Sequence, residues 1–361
     1  MKHTVCRIIP TYLLKELMEQ QDERELQGHL FNTITLSERL RARREIIGSL
    51  SAMFPMASAR QRNIHDAHNG MDETASTLVL SEGGPSVGDN VVKEVYDSFG
   101  YTYDLYSNVY GRRSIDDHNM PLNGFVHWGM KFMNAFWDGK AMYFGDGDGK
   151  IIKSFTSAID IAGHELTHGV TQYEAALEYW CDQTHQPGAL NESMSDCVGS
   201  MVKQYALQQT VDNADWLIGQ GIFVKDPTWA LRSMKKPGTA YPNDRQPSHM
   251  RDYVNLPNDQ DHDEGGVHIN SGIPNYAFYL AATKIGGKVW EKTGLVWYKT
   301  LSSGLPTDCS FEIFASHTVQ VAGNLFGQDS SEQKAIRDAW AAVGVAVSGL
   351  TAMEYISRKV R

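Results

Sequence analysis

The stretch His164-Glu165-Leu166-Thr167-His168 constrains this chain more than any other. Histidines four apart on a helix share one face, a single turn apart. The segment therefore calls for a helix with one side buried and both imidazoles turned toward an opening. Its flanks agree. Thr156-Ser157-Ala158-Ile159-Asp160 offers a hydroxyl with an acidic residue three positions after Ser157, a capping-box variant that starts a helix here. Ile159, Ala162, Leu166 and Val170 then recur at helical spacing. Neutral imidazole nitrogens suit Zn²⁺, and the Glu165 carboxylate is placed to take a proton. A pair of satisfied core histidines is the plainer alternative.

A second element weighs against that alternative. In Asn191-Glu192-Ser193-Met194-Ser195-Asp196 the two carboxylates are again four apart, so a second helix can supply a third ligand and a supporting group. Three protein ligands leave one position open, the catalytic form of a zinc site. Metal-bound histidines pass their other N–H to an outer oxygen, a duty that Asp196 and Asn191 suit.

With Asn134-Ala135-Phe136-Trp137 and Gly265-Gly266-Val267-His268-Ile269-Asn270-Ser271-Gly272, these motifs lie in order between residues about 100 and 345. Together the chain resembles the thermolysin-like zinc metallopeptidases. The resemblance implies an α+β, thermolysin-like two-domain fold: a β-rich N-terminal domain, a mainly α-helical C-terminal domain and the zinc cleft between them. It places the zinc ligands on His164, His168 and Glu192, the general base on Glu165, and transition-state donors on His268 and Tyr179. Asp263 matches the carboxylate that orients His268, and Arg232 the arginine that binds the substrate carbonyl. Asn134 and Ala135 match the edge-strand positions that hold substrate backbone. The wall receiving the side chain after the cut bond would include Ile152, Phe155, Ile161 and Leu231, all apolar, which implies cleavage before bulky hydrophobic residues.

The chemistry is consistent on its own terms. Zinc lowers the pKa of its water toward about 7 and polarises a carbonyl. Glu165 can accept the water proton and pass it to the leaving amine. His268 and Tyr179 can stabilise the oxyanion, a role contributing ~3 kcal/mol for a single donor. Peptide or protein substrates fit these parts. A gluzincin aminopeptidase shares HExxH and a downstream Glu, but not the NAFW and GGVHINSG elements. A catalytically latent zinc-binding partner protein would have no need of Glu165, His268 and Arg232 together.

Charge divides the chain. Residues 1–62 carry 10 Lys and Arg against 7 Asp and Glu, whereas the remainder carries 23 against 36. Tyr12 to Gln20 is amphipathic enough for a helix, and Arg39 to Glu45 reads as a polar connector. The Ile8-Ile9-Pro10-Thr11-Tyr12-Leu13-Leu14 segment is similar to the short inhibitory propeptide of the protealysin-type subgroup, although Thr11 stands where a second proline is common. Residues 1–50 are thus read as a short helical propeptide, 51–158 as the N-terminal peptidase domain, 159–345 as the C-terminal domain, and 346–361 as a tail of unknown role. That implies a self-processing zymogen whose partners are its substrates, its own propeptide in cis and a proteinaceous inhibitor. Cys6 reads first as an incidental free thiol, with a thiolate on the zinc's open position as the rival idea.

Other features bound the reading. Residues 62–155, rich in Tyr, Val, Gly and Asp, read as sheet and hairpins, with Gly145-Asp146-Gly147-Asp148-Gly149 as a turn. Helical periodicity marks Phe311 to Ala322 and Ser331 to Val343. The segment between Tyr179 and Glu192 runs about four residues longer than the family pattern, with His185 expected in an exposed loop. The family's calcium site keeps Asp160 and Asp215 as a residual Ca²⁺ site but has Lys203, Leu217 and Gln220 where carboxylates would stand, so weaker calcium dependence than in the secreted, calcium-rich relatives is expected. Cys181 and Cys197 flank Glu192 and could pair outside the cell. Nothing suggests nucleic acid, no run reaches the ~20 apolar residues of a membrane span, and Met1 to Leu14 lacks a secretory h-region. A cytoplasmic precursor with non-classical export is the expectation.

Overall fold

The computed structural model describes residues 6–47, 59–179 and 184–348. They fall into two compact units, one within Met1–Val170 and Gly219–Leu231, the other within Thr171–Ile218 and Arg232–Arg361.

The first unit is built on a mixed six-stranded sheet: β1 (Cys6–Arg7), β5 (Ala135–Trp137), β6 (Ala141–Phe144), β4 (Leu122–Val126), β2 (Arg62–Asp66) and β3 (Thr77–Ser81), in that spatial order. β2 lies parallel to β4 and β4 parallel to β6, while the other neighbours run antiparallel. Register aligns His65, Phe125, Tyr143 and Phe136 across four strands, with Arg7 of β1 opposite Phe136. The rings stack in turn, with centroids 4.9, 5.1 and 4.6 Å apart. Cross-strand aromatic pairs of this kind add to the stability of a sheet beyond area burial. Trp128, Phe132, Ala67 and Ala141 extend the cluster, and Leu36 packs against it.

Leu36 belongs to α2 (Arg24–Ile47), which follows α1 (Thr11–Glu19). Pro10 stands at the N-cap of α1 with φ −69°, where its missing N–H costs nothing. Ile8, Ile9 and Leu14 are wholly buried, and so nearly is Leu13. The backbone of α2 stays helical through Arg39 to Glu45, which corrects the expectation of a connector. Arg, Leu, Ala and Glu are strong helix formers, and their propensity outweighs the lack of an apolar stripe.

A second correction concerns residues 62–155, where a helix, α3 (Asn90–Asp104), interrupts the strands. Its Val and Tyr content reads as β, but Val92, Val95, Phe99 and Thr102 recur at helical spacing and are buried. Asp89 caps it by accepting from the Val91 N–H at 2.8 Å. The Gly145–Gly149 stretch is a turn, in which Asp148 accepts from the N–H groups of Lys150, Ile151 and Ile152.

The second unit is helical: α5 (Gln186–Ala206), α6 (Asp263–Asn270), α7 (Gly272–Ile285), α8 (Thr293–Leu301), α9 (Phe311–Phe326) and α10 (Ser331–Ala342), with a short ribbon of β7 (Leu217–Ile218) and β8 (Arg232–Ser233). The helices read at Phe311 and Ser331 start there, each capped by the preceding serine. Trp297 and Trp340 stack at 5.9 Å in the core. α5 is buried from Pro187 to Gln204, so its polar residues are held inside the unit. A mixed sheet in one unit and helices in the other give the expected α+β class. Among the described residues no helix is long and apolar enough to cross a membrane.

Candidate active site

The His164–His168 motif lies on α4 (Ile159–Glu174). His164 and Glu165 are wholly buried and His168 almost so. Before the helix, Ser157 donates its hydroxyl to the Ser154 carbonyl in a short 3-10 turn, and Asp160 accepts from the Gly219 N–H. The helix starts at Ile159, directly after the Thr156–Ala158 segment read as its start. Thr167 donates to the Gly163 carbonyl at 2.7 Å and accepts from the Tyr106 hydroxyl at 3.0 Å, which ties the motif to the turn after α3. A Cβ on Gly169 would come within 2.6 Å of Ile115 and 3.1 Å of Trp137, so only glycine lets the helix approach β5 this closely. That approach lets the Trp137 N–H donate to the Glu165 carboxylate at 3.1 Å.

In the first unit Asn134 and Ala135 hold the backbone of the N-terminal segment. The Ile9 N–H donates to Asn134 Oδ1 at 3.1 Å, Asn134 Nδ2 donates to the Ile9 carbonyl at 2.9 Å, and the Ile8 N–H donates to the Ala135 carbonyl at 3.2 Å. Ile152, Phe155, Ile161 and Leu231 are all buried in this unit. Cys6 pairs with Trp137 through its backbone; its side chain lies outside the described residues.

In the second unit α5 carries Asn191, Glu192 and Asp196. The Tyr179 hydroxyl donates to Glu192 Oε1, and Asn191 Nδ2 donates to the Leu177 carbonyl, which fixes the segment bearing Tyr179. His268 Nε2 lies 3.3 Å from Glu192 Oε2, so tyrosine and histidine converge on one carboxylate. Asp263 fixes the other side of that histidine: Oδ1 meets Nδ1 at 2.7 Å, and Oδ2 accepts from the His268 and Ile269 N–H groups. Asp263, Glu264, Gly265 and Gly266 have φ of 57°, 52°, 87° and 80°, a left-handed turn that aims this carboxylate. Burial works to lower the His268 pKa, but the charges of Glu192 and Asp263 outweigh it and the pKa is raised.

Arg232 on β8 makes a two-pronged ion pair with Asp196, Nε to Oδ2 at 2.7 Å and the NH2 nitrogen to Oδ1 at 2.8 Å. Two residues not foreseen from the sequence join this side. Asn275 donates to Asp196 Oδ2 at 2.8 Å, and Gln246 donates to the His268 carbonyl at 2.8 Å. A buried amide in the apolar α7 was the available signal for Asn275.

His185 corrects another expectation. It is half-buried at the start of α5, and a Cβ on Gly265 would meet its ring at 2.0 Å. Asp215 and Lys203 form an ion pair at 2.9 Å, with the ammonium also donating to the Leu217 carbonyl. Cys197 is buried; Cys181 and the tail from 349 onward lie outside the described residues.

Among the described residues one group of three metal-ligating side chains comes together: His164, His168 and Glu192, with donor atoms within 4.8 Å of one another. His164 Nε2 and His168 Nε2 are 3.0 Å apart with rings at 86°. Tetrahedral zinc with bonds of about 2.0–2.1 Å to nitrogen sets ligand atoms roughly 3.3 Å apart, so two imidazoles and a carboxylate in this arrangement fit the ion.

Family comparison matches residues 47–172 to the thermolysin metallopeptidase catalytic domain and residues 175–345 to its alpha-helical domain. An extracellular metalloprotease of Pectobacterium carotovorum subsp. carotovorum is 44% identical over 353 residues, covering 95% of this chain and 97% of the relative. Protease PrtS of Photorhabdus sp. (strain Az29) is 40% identical, covering 94% and 92%. The precursor of protealysin, a metalloproteinase from Serratia proteamaculans, superposes with a TM-score of 0.83 at 42% identity, covering 94% of this chain and all of that one.

Proposed function

Because the chain belongs to the thermolysin metallopeptidase family, we propose that this zinc endopeptidase is made as a zymogen whose N-terminal segment holds the substrate edge until the chain cuts itself. The pairing of Ile8 and Ile9 with Asn134 and Ala135 carries this reading. An extended peptide added to a sheet edge is held by its main chain, whatever its side chains. β1 takes that place on β5, and the chain then leaves the edge at Pro10, which has no N–H to donate, and enters α1. An arriving substrate requires the same edge.

Zinc, when bound, supplies a Lewis acid that polarises a carbonyl and lowers the pKa of water toward about 7. The protein's own residues take the remaining roles. Glu165, steadied by the Trp137 N–H, accepts a proton and delivers it to the leaving amine. His268, positioned by Asp263, and Tyr179 donate to the developing oxyanion. Arg232, held by Asp196, binds a substrate carbonyl. Ile152, Phe155, Ile161 and Leu231 supply an apolar wall, which favours cleavage before bulky hydrophobic residues.

The test is hydrolysis of peptides blocked at both ends, assayed before and after loss of the N-terminal segment. Internal cuts before Leu or Phe that appear only after that loss support the proposal. Blocked peptides left uncut after that loss, or full activity with the segment attached, would contradict it.

A further inference from the structure

We infer that Asn275 is a positioning residue for peptide hydrolysis: it holds Asp196 so that Arg232 presents a fixed guanidinium to the substrate. The inference rests on the reading of Arg232 given above. Asn275 is wholly buried on α7, a helix otherwise lined on its inner side by Ile273, Ala277, Phe278 and Ala281. A buried amide is costly there unless it is hydrogen-bonded. Its side-chain bond is Nδ2 to Asp196 Oδ2 at 2.8 Å, and its Oδ1 has no hydrogen-bond partner among the described residues. The orientation follows from chemistry, because a flipped amide would turn its oxygen toward a carboxylate.

The bond falls at a sensitive place. Asp196 is wholly buried, and its Oδ2 accepts from Arg232 Nε at 2.7 Å as well as from Asn275. An ionised carboxylate buried this deeply needs each of its lone pairs answered. Two donors on one oxygen fix the plane of the carboxylate, and the second oxygen then meets the NH2 nitrogen of Arg232 at 2.8 Å. Without Asn275 that plane can turn about the Cβ–Cγ bond, and the guanidinium turns with it. Only about an ångström of misplacement is needed to lose a large part of catalysis. The Asn191–Asp196 motif includes Asp196, whereas the Gly265–Gly272 motif stops three residues short of Asn275.

Asn275→Leu tests this, because leucine fills the same buried volume with no donor. The expected result is a fall of about tenfold in kcat/KM, equal to 1.36 kcal/mol, with the melting temperature and bound zinc unchanged. In an Arg232→Lys background, which removes the fork, the same substitution is expected to cost nothing further. The Arg232 Nε–H resonance in a ¹H–¹⁵N spectrum, sharp and slow to exchange in the parent chain, is expected to broaden in Asn275→Leu. An unchanged kcat/KM, or a loss of the same size in both backgrounds, would overturn the inference. If no form of the chain cuts peptide, the functional reading fails and the resonance alone decides: broadening upholds the tie, and an unmoved signal overturns it.

Discussion

Asn134 answers both backbone groups of Ile9, accepting from its N–H at 3.1 Å and donating to its carbonyl at 2.9 Å. One side chain thereby replaces a rung of the ladder at the point where β1 ends. Asn134→Ala removes two buried hydrogen bonds, about 2 kcal/mol in all, and so weakens the hold on the segment roughly 30-fold. The segment is expected to be lost faster, while the freed enzyme has a lower kcat/KM for extended peptides. Processing followed by gel and steady-state kinetics checks both arms, and slower processing would contradict the shared-edge reading.

Zinc removal follows from the donor set. A ligand that binds only the folded chain stabilises it by about 4 kcal/mol at a thousandfold excess over Kd. Chelation is expected to abolish hydrolysis and lower the melting temperature, and added zinc to restore both. Glu192→Gln is expected to weaken zinc binding, measured by competition with a chromogenic chelator.

His127 supplies a pH prediction remote from the metal. Its ring nitrogens meet Asp89 at 2.9 Å and Asp146 at 2.8 Å, joining the cap of α3 to the Gly145–Gly149 turn. Partial burial works to lower its pKa, but the bonds to Asp146 and Asp89 outweigh this and the pKa is raised. A raised histidine pKa gives stability that is complete below the ordinary value of ~6.5 and is lost as pH rises through the folded value. Burial works to raise the pKa of Asp89, but its bonds to His127 and the Val91 N–H lower it, so its share fades as pH falls through the folded value. His127→Gln is therefore expected to lower the melting temperature near pH 6 and to have almost no effect near pH 9. An equal loss at both values would remove the charge from the explanation.

Lys203 bears on calcium. Its ammonium lies 2.9 Å from Asp215 and donates to the Leu217 carbonyl at 2.7 Å, so a cation of the protein already serves that carboxylate. Calcium chelation at fixed zinc is expected to leave the melting temperature unchanged. Lys203→Ala is expected to lower it by more than a typical surface change, since the lysine side chain is only 11% exposed. A clear drop on calcium chelation would contradict this.

What could be read from the sequence follows from range. HELTH and NESMSD carry their spacing locally, so two helices, the histidine pair and the third ligand are visible without a fold. Ile8 to Leu14 was likewise legible as a distinct segment. α3 was hidden because Val92, Val95 and Phe99 have β propensities that tertiary burial overrides. His185 was misread because its burial comes from Gly265, eighty residues on, where the missing side chain makes room for the ring. Asn275 and Gln246 act on partners 79 and 22 residues away, and an amide's long-range bond leaves no periodic trace.

The central claim is that one zinc site removes the chain's own N-terminal segment. Intact mass over time, for the purified full-length chain with zinc and beside it Glu165→Ala, tests this most directly. The expected result is loss of about the first 50 residues from the parent chain alone, since removing the general base slows proton transfer by about 10²–10⁴-fold. Equal trimming of both chains, or a parent that stays whole while it cuts blocked peptides, would contradict it.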